Sequence, residues 1–344
     1  MILSTIQELR LHLPSNAVDE VALLQGVLDN SEKDFLLDKL GTSLYDRLCE
    51  YYSKETTSDD FFYSITSGTY ASDPWAILLL NAQRMIANDA MARYVYQQAV
   101  SVNGAGVNVA SSTDYAAADT KLIEKGVQGY RKEAMTSLNI LLTTLETWAE
   151  QINTPAEADT DETTDDADTT DSTATAAHEA IEEIVTLWQE SRYYYLHGDL
   201  LIPTCAVLQE YLDVYDSRDK FIRLLPDLRF IQDEYITDAI GEDVLATLLH
   251  SSADTDKRLL RRVRYLMVAY LEERTQVLPI DKSRRQQAHD EAVALKENII
   301  NAIKEKQKAT EEATAATTAD TASSDEGYKN NQDGTRMFVS PLLY

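Results

Sequence analysis

Residues 35–48 read FLLDKLGTSLYDRL, and residues 235–248 read YITDAIGEDVLATL. Placed one above the other, the two stretches match aromatic with aromatic, Asp with Asp and Gly with Gly, and the flanking apolar positions agree. Glycine adopts a left-handed backbone without steric penalty, so Gly41 and Gly241 are predicted to cap helix ends, each followed by another helix. The sequence therefore predicts an internal repeat of helical units. The alternative is a chance similarity of two helix ends.

Apolar residues recur every three or four positions along most of the chain, which is the period of an amphipathic helix. Asp73 followed by Pro74 predicts a helix start, and the helix should run to about residue 98. A further long helix is predicted over 118–151. Val18, Val21, Leu24, Leu28 and Phe35 are predicted to line one continuous helix. The predicted fold class is all-α, with two related multi-helix halves.

One segment breaks the helical pattern. In AVSVNGAGVNVASS, valines alternate with other residues on both sides of Asn103-Gly104, which is a turn signal. The pattern predicts a β-hairpin at about 99–110 that projects from the helical body. An isolated hairpin is only marginally stable in water, so its valines need a covering surface. The candidate interface residues here are Val100, Val102, Val107 and Val109.

Two low-complexity tracts divide the chain. Residues 153–177 hold eight acidic and no basic residues, and residues 309–327 hold five acidic and no basic residues. Such tracts bury too little apolar surface to offset their chain entropy, so we expect them to be disordered. The predicted organisation is an N-terminal half at 1–152, a linker at 153–177, a C-terminal half at 178–308, a disordered tail at 309–333 and an apolar arm at 334–344.

The C-terminal arm turns apolar after a polar tail. Residues 334–344 read GTRMFVSPLLY, in which Met337, Phe338 and Leu342 are the candidate contact residues. A free polar tail has no reason to regain apolar side chains. The arm is therefore predicted to dock in an extended form on its own body or on a neighbour.

The charge of the chain excludes several partners. Thirty-one basic and 58 acidic residues give a net charge of -27, which repels nucleic-acid phosphates and anionic membranes. We therefore expect no direct nucleic-acid recognition and no membrane association. One basic run, Lys257 to Arg264, contains Arg261 and Arg262. It fits an ordinary amphipathic helix whose arginines pair with acidic neighbours, or a docking surface for an acidic partner.

No catalytic or metal-binding constellation emerges from the sequence. The five histidines are scattered without zinc-site spacing, and Cys49 and Cys205 form no CxxC pair. No nucleophile elbow or phosphate-binding loop is present. We therefore expect a protein that is not an enzyme and that has no cofactor or metal.

Several segments together carry a family resemblance. They are the block at 35–48, the helix ending in Ala90–Val95, Gly106-Val107 of the hairpin, Gly129-Tyr130 through Leu138, Leu141 and Leu142, and Leu201-Ile202-Pro203 through Ile240-Gly241. With them the chain resembles the uncharacterised structural proteins of Bacteroides-type phages and prophages. More distantly, it is similar to the all-α head-tail connector adaptors of long-tailed phages, which form rings under the portal.

The resemblance implies a non-enzymatic virion protein that acts through contacts between its own copies in a ring. The implied partners are the portal and other connector or tail proteins, and the implied location is the virion, assembled in the bacterial host cytoplasm. The alternative is a cytoplasmic adaptor or assembly chaperone, monomeric or dimeric, whose acidic tails hold a basic protein partner.

Overall fold

The computed structural model describes residues 1–13, 21–55, 64–65, 67–98, 101–103, 106–108, 120–153, 170–250, 254–275 and 282–324. These residues are almost entirely helical, which confirms the predicted all-α class. The α-helices are α1 (Ile6–His12), α2 (Gln25–Ser31), α3 (Asp38–Leu40), α4 (Thr42–Glu55), α5 (Pro74–Gln98), α6 (Thr120–Asn153), α7 (Thr170–Gln189), α8 (Cys205–Gln209), α9 (Arg218–Ile231), α10 (Thr237–Ile240), α11 (Glu242–His250), α12 (Asp254–Thr275) and α13 (Lys282–Ser324).

Short strands lie between α5 and α6. Strand β1 (Ser101–Asn103) pairs antiparallel with β2 (Gly106–Asn108), and Val102 stands opposite Val107. The side chains of this segment, and Val100 and Val109 altogether, lie outside the described residues. The projection of the hairpin and its valine interface therefore stay predictions.

Two π-helical segments occupy matching positions in the chain. They are Glu32–Leu37, directly before α3, and Gln232–Ile236, directly before α10. The helix predicted through Leu24, Leu28 and Phe35 is present from Gln25 to Leu40, but its middle part is π-helical, and Val18 lies outside the described residues. A 3-10 turn at Val21–Leu23 leads into α2, which then widens into the first π-helix. A π-helical turn accommodates an extra residue within a helix, and such turns are often functional.

Both repeat glycines join two helices, as predicted. Gly41 has φ +82° and ψ 164°, and Gly241 has φ +83° and ψ 153°. Each glycine N–H closes the preceding helix by donating to Leu37 or Thr237, and each glycine carbonyl accepts the first hydrogen bond of the next helix. The predicted left-handed helical cap is wrong in one respect, because at these ψ values the backbone lies in a region that is essentially restricted to glycine.

The described chain forms two compact units. Unit 1 comprises Met1–Gly198 and Pro203–Leu224, and unit 2 comprises Asp199–Ile202 and the described residues from Leu225 onward. The predicted division at the acidic tract differs from this, because part of the predicted C-terminal half, 178–308, belongs to unit 1. The reason is that α7 buries an apolar face against α4, α5 and α6.

The predicted disordered tracts are partly helical. Helix α7 begins at Thr170, inside the predicted linker, and α13 continues to Ser324, inside the predicted tail. These stretches are rich in alanine, the best helix former, and extending a helix costs far less than nucleating one. Residues 154–169 and 325–344, including the C-terminal arm, lie outside the described residues.

The core of unit 1 is the helix pair α5 and α6. Asp73 caps α5 through a hydrogen bond of 3.0 Å from the Trp75 N–H, which confirms the predicted start. Helix α5 is buried on most of its surface, and α6 packs along it and contributes a leucine stripe. The fully buried side chains of the stripe are Leu138, Leu141, Leu142 and Leu145.

Candidate functional site

The sequence-predicted interface residues fall into two groups. Met337, Phe338 and Leu342, like the hairpin valines, contribute no described side chain. Arg261 is exposed on α12, and Arg262 is partly buried, where it lines a groove with Asn298 and Glu305 of α13. The structure thus places both arginines at the surface of unit 2, and their role in docking stays a prediction.

Arg264 does not belong to the surface stripe that the sequence suggested. Its Nε donates to the carbonyl of Leu201 over 2.7 Å, and the side chain is only partly exposed. Arg264 is one of two side chains that hold the backbone of Leu201, an arrangement called here the clamp. On the other side of the same residue, the Leu201 N–H donates to Oε1 of Gln232 over 2.8 Å. Gln232 is buried and begins the second π-helix.

Unit 1 contains the same clamp. The Ile2 N–H donates to Oε1 of Glu32 over 2.7 Å, and Nε2 of Gln83 donates to the Ile2 carbonyl over 2.7 Å. Glu32 begins the first π-helix, as Gln232 begins the second, and Gln83 lies on α5, as Arg264 lies on α12. In both units a side chain from the π-helix and one from the following long helix hold a single buried backbone residue.

The correspondence extends beyond the clamp. Three residues after the clamped residue, Thr5 caps α1 by accepting the Glu8 N–H, and Thr204 caps α8 by accepting the Val207 N–H. Aligning Gln83 with Arg264 also aligns buried positions of the two long helices. These pairs are Ala82 with Val263, Met85 with Leu266 and Ile86 with Met267. Together with the glycine geometry, these features support the predicted internal repeat rather than a chance similarity.

Buried ionisable groups in unit 1 are tied to one another. Glu8 accepts hydrogen bonds from Tyr52, at 2.9 Å, and from the Thr5 N–H, at 2.8 Å. Burial, with the neighbouring Glu8 carboxylate, raises the pKa of Tyr52 to about 12. Glu32 likewise accepts from Tyr45 at 2.8 Å. Each of these side chains completes a local network, so the arrangement stabilises the fold instead of presenting a reactive group.

A second network holds α6 against the chain that follows α7. Glu146 accepts a hydrogen bond of 2.8 Å from the Tyr195 hydroxyl and pairs with Arg218 Nε at 3.2 Å. Burial raises the pKa of Glu146, and the two partners act against that shift. Removing one partner of a buried pair leaves an uncompensated charge, so this network positions α6.

A cleft of about 560 Å³ lies between α1, α5 and α6, next to His12. Its wall on α6 includes Gly126 and Gly129, where an added Cβ would meet nothing within 4 Å. His12 bonds to Gln83 at 3.3 Å. Burial lowers the pKa of His12, and the charge of Arg84 acts in the same direction.

We expect the lowered pKa of His12 to make unit 1 less stable in mild acid. Below the unfolded pKa of about 6.5 the unfolded chain binds a proton that the folded chain does not, so stability falls as the pH falls through that value. The loss of melting temperature between pH 7.5 and pH 5.5 should be larger in the wild type than in His12→Gln, which cannot titrate. Equal losses in the two proteins would contradict the assignment.

Exposed apolar side chains flank the hairpin segment. Tyr96 lies near the end of α5 and is 60% exposed, and Leu122 lies near the start of α6 and is 66% exposed. Neither residue was predicted from the sequence, since each lies off the buried stripe of its helix. Because α5 and α6 pack along each other and are joined through β1 and β2, these side chains lie at one end of the helix pair.

Comparison with known proteins gives one match. Residues 36–165 match a family of unknown function, DUF6712. No curated protein and no solved structure matches the chain. The DUF6712 match begins within the first π-helix and includes Gly41, α4, α5, the strands and α6, which is most of the first repeat copy. It includes both Tyr96 and Leu122 and the sequence between them.

The described part of the chain has no helix that is both long and apolar enough to cross a membrane.

Proposed function

We propose that this chain is a non-enzymatic structural protein of a phage or prophage virion, a head-tail connector or adaptor that acts through ring-forming contacts between its copies. The observation that carries the proposal is the exposed apolar end of the α5 and α6 pair. Tyr96 and Leu122 flank a segment whose sequence supplies four further valines, Val100, Val102, Val107 and Val109.

Burial of apolar surface favours the binding of a partner at the exposed end of the α5 and α6 pair. Burying one such side chain contributes roughly 1.5 to 3 kcal/mol, so a shared surface of several apolar residues can stabilise a contact between copies. The helix pair beneath it is fixed by the buried core of unit 1, so little conformational entropy is lost when the surface docks. The portal and other connector or tail proteins are the partners in this proposal. Its location is the virion, assembled in the host cytoplasm.

The experiment is mass photometry of the purified protein, alone and with the portal protein of the same phage genome. Rings of several copies, or such rings on the portal, are expected. Leu122→Asp should weaken the assembly by at least ~100-fold, because it removes a leucine that the contact between copies would bury and places a charge there. Leu23, 62% exposed on the 3-10 turn before α2, gives the matched control Leu23→Asp.

The control should assemble like the wild type, and both variants should keep the helical circular dichroism of the wild type. A stable monomer or dimer that forms no ring with or without the portal contradicts the connector function. That result, with tight binding of a basic protein, would favour a cytoplasmic adaptor or assembly chaperone.

A further inference from the structure

In unit 1, helix α7 fills a groove between three helices. Its side chains Ile184, Val185 and Trp188 are fully buried against α4, α5 and α6. The Trp188 indole Nε1 donates to the carbonyl of Lys39, two residues before Gly41, over 3.2 Å. The groove of the first repeat copy is therefore closed by a segment that comes later in the chain.

In unit 2, the equivalent groove is open. Helices α11, α12 and α13 take the places of α4, α5 and α6, and a cavity of about 410 Å³ lies among them. It is lined by four apolar residues and by five polar or charged residues. The apolar residues are Val244, Leu248, Leu259 and Ile303.

Matching residues in the two grooves are buried in unit 1 and more exposed in unit 2, as expected if only the groove of unit 1 is filled. Leu44 is fully buried in unit 1, and its counterpart Val244 is partly exposed in unit 2. Gly41 is buried beneath Ser191, whereas Gly241 is exposed and has nothing within 4 Å of the position of a Cβ. The groove of unit 2 thus lacks a counterpart of α7 among the described residues.

The order of the sequence indicates what that counterpart is. In the first copy, α6 is followed by the acidic tract 153–177 and then by the apolar face of α7. In the second copy, α13 runs into the acidic tract 309–327, which is followed by the apolar arm 334–344. Helix, acidic tract and apolar segment therefore occur in the same order twice.

We propose that the C-terminal arm, residues 334–344, fills the groove of unit 2 between α11, α12 and α13, as α7 fills the groove of unit 1. Phe338 takes the role of Trp188 as the large aromatic side chain. Pro341 excludes a continuous helix, so the arm binds in an extended form. The positive charge of Arg336 complements the negative charge of Glu311, which lines the groove. The proposal does not depend on the connector function.

The chain between Glu311 and the arm is long enough for the arm to reach back to the groove of unit 2. Helix α13 continues from Glu311 at the groove to Ser324, a distance of about 20 Å at the helical rise. Residues 325–336 can span up to about 40 Å when extended. Because the arm is tethered to the unit that it binds, its effective concentration is in the millimolar range, which favours the arm of the same chain over that of another copy.

Hydrogen exchange of the full chain, read by mass spectrometry, tests the proposal. Amides of 337–344 should exchange at least about tenfold more slowly than in a free peptide of the same sequence. Phe338→Asp should abolish this protection and also raise exchange in α11 and in α13 around 303–311. Ser340→Asp, a change of equal charge at a polar position of the arm, should have a smaller effect. Val244→Asp, on the groove side, should release the arm while the arm sequence is unchanged.

Three results would overturn the proposal. They are arm amides that exchange at the free-peptide rate, arm protection that is unchanged in Phe338→Asp and Val244→Asp, and protection that disappears when the protein is diluted. The last result would show that the arm binds another copy. Protection by the arm of the same chain is independent of protein concentration, whereas ring formation is not, so failure of this proposal is distinguishable from failure of ring formation.

Discussion

Replacing Gly41 with alanine is expected to destabilise unit 1 by ~3 kcal/mol or more, and Gly241→Ala is expected to cost less. Both glycines have a positive φ with an extended ψ, a backbone conformation that costs other residues about 1 to 3 kcal/mol. At Gly41 the new Cβ would also lie 2.2 Å from Oγ and 2.7 Å from Cβ of Ser191. At Gly241 it would meet no atom within 4 Å.

A double variant can separate the cost of the backbone strain at residue 41 from the cost of the steric clash with Ser191. Gly41→Ala with Ser191→Gly removes the steric clash and keeps the backbone strain, so the double variant should recover part of the lost stability. Urea unfolding of unit 1 can be followed by tryptophan fluorescence, because Trp75, Trp148 and Trp188 all lie in that unit. If Gly41→Ala unfolds at the urea concentration of the wild type, the strained junction has no energetic importance.

Replacing Glu32 with alanine is expected to destabilise unit 1 by ~2 to 4 kcal/mol, whereas Glu32→Gln should cost less than ~1 kcal/mol. Glu32 accepts from the Ile2 N–H and from the Tyr45 hydroxyl, and it is 4% exposed. Alanine leaves the Ile2 N–H buried without an acceptor and removes the acceptor of the partly buried Tyr45 hydroxyl. Glutamine keeps one acceptor oxygen for the Ile2 N–H, and its amide N–H can donate to the Tyr45 hydroxyl oxygen; the second copy already uses Gln232 for the equivalent backbone bond.

Urea unfolding followed by tryptophan fluorescence also measures the stability of Glu32→Ala and Glu32→Gln. An equal loss of stability in the two variants would show that one acceptor oxygen for the Ile2 N–H is not sufficient, and that the charge of Glu32 or its second oxygen is needed. Gln232→Ala provides the corresponding test in unit 2, followed by circular dichroism.

Local signals in the sequence predicted the elements well. The Asp73-Pro74 start of α5 and the two glycine junctions follow from backbone preferences that act over a few residues. The low-complexity tracts misled the prediction, because their polarity indicates disorder while their alanine content favours helix continuation through 170–177 and 309–324. Composition alone does not decide between these two tendencies when a formed helix adjoins the tract.

Contacts between residues that lie far apart in the sequence could not be predicted from the sequence. Arg264 was grouped with surface cations because its neighbours Arg261 and Arg262 are cations, and nothing near it in sequence points to the Leu201 carbonyl. The same holds for Gln83 and Ile2. Of the candidate interface, the sequence indicated the valine segment but not Tyr96 or Leu122, which only the packing of α5 on α6 places beside it.

The position of α7 shows that the acidic tract at 153–177 connects two helices of one unit. Both ends of the tract lead to helices of the same unit, because α7 packs on α6 and on the helices before it. The tract is therefore a tether inside one folded body rather than a boundary between two. A protease that cuts between 154 and 169 would turn the closure of the α4, α5 and α6 groove into a bimolecular association. The stability of the nicked unit would then depend on protein concentration by mass action, which the uncut chain avoids.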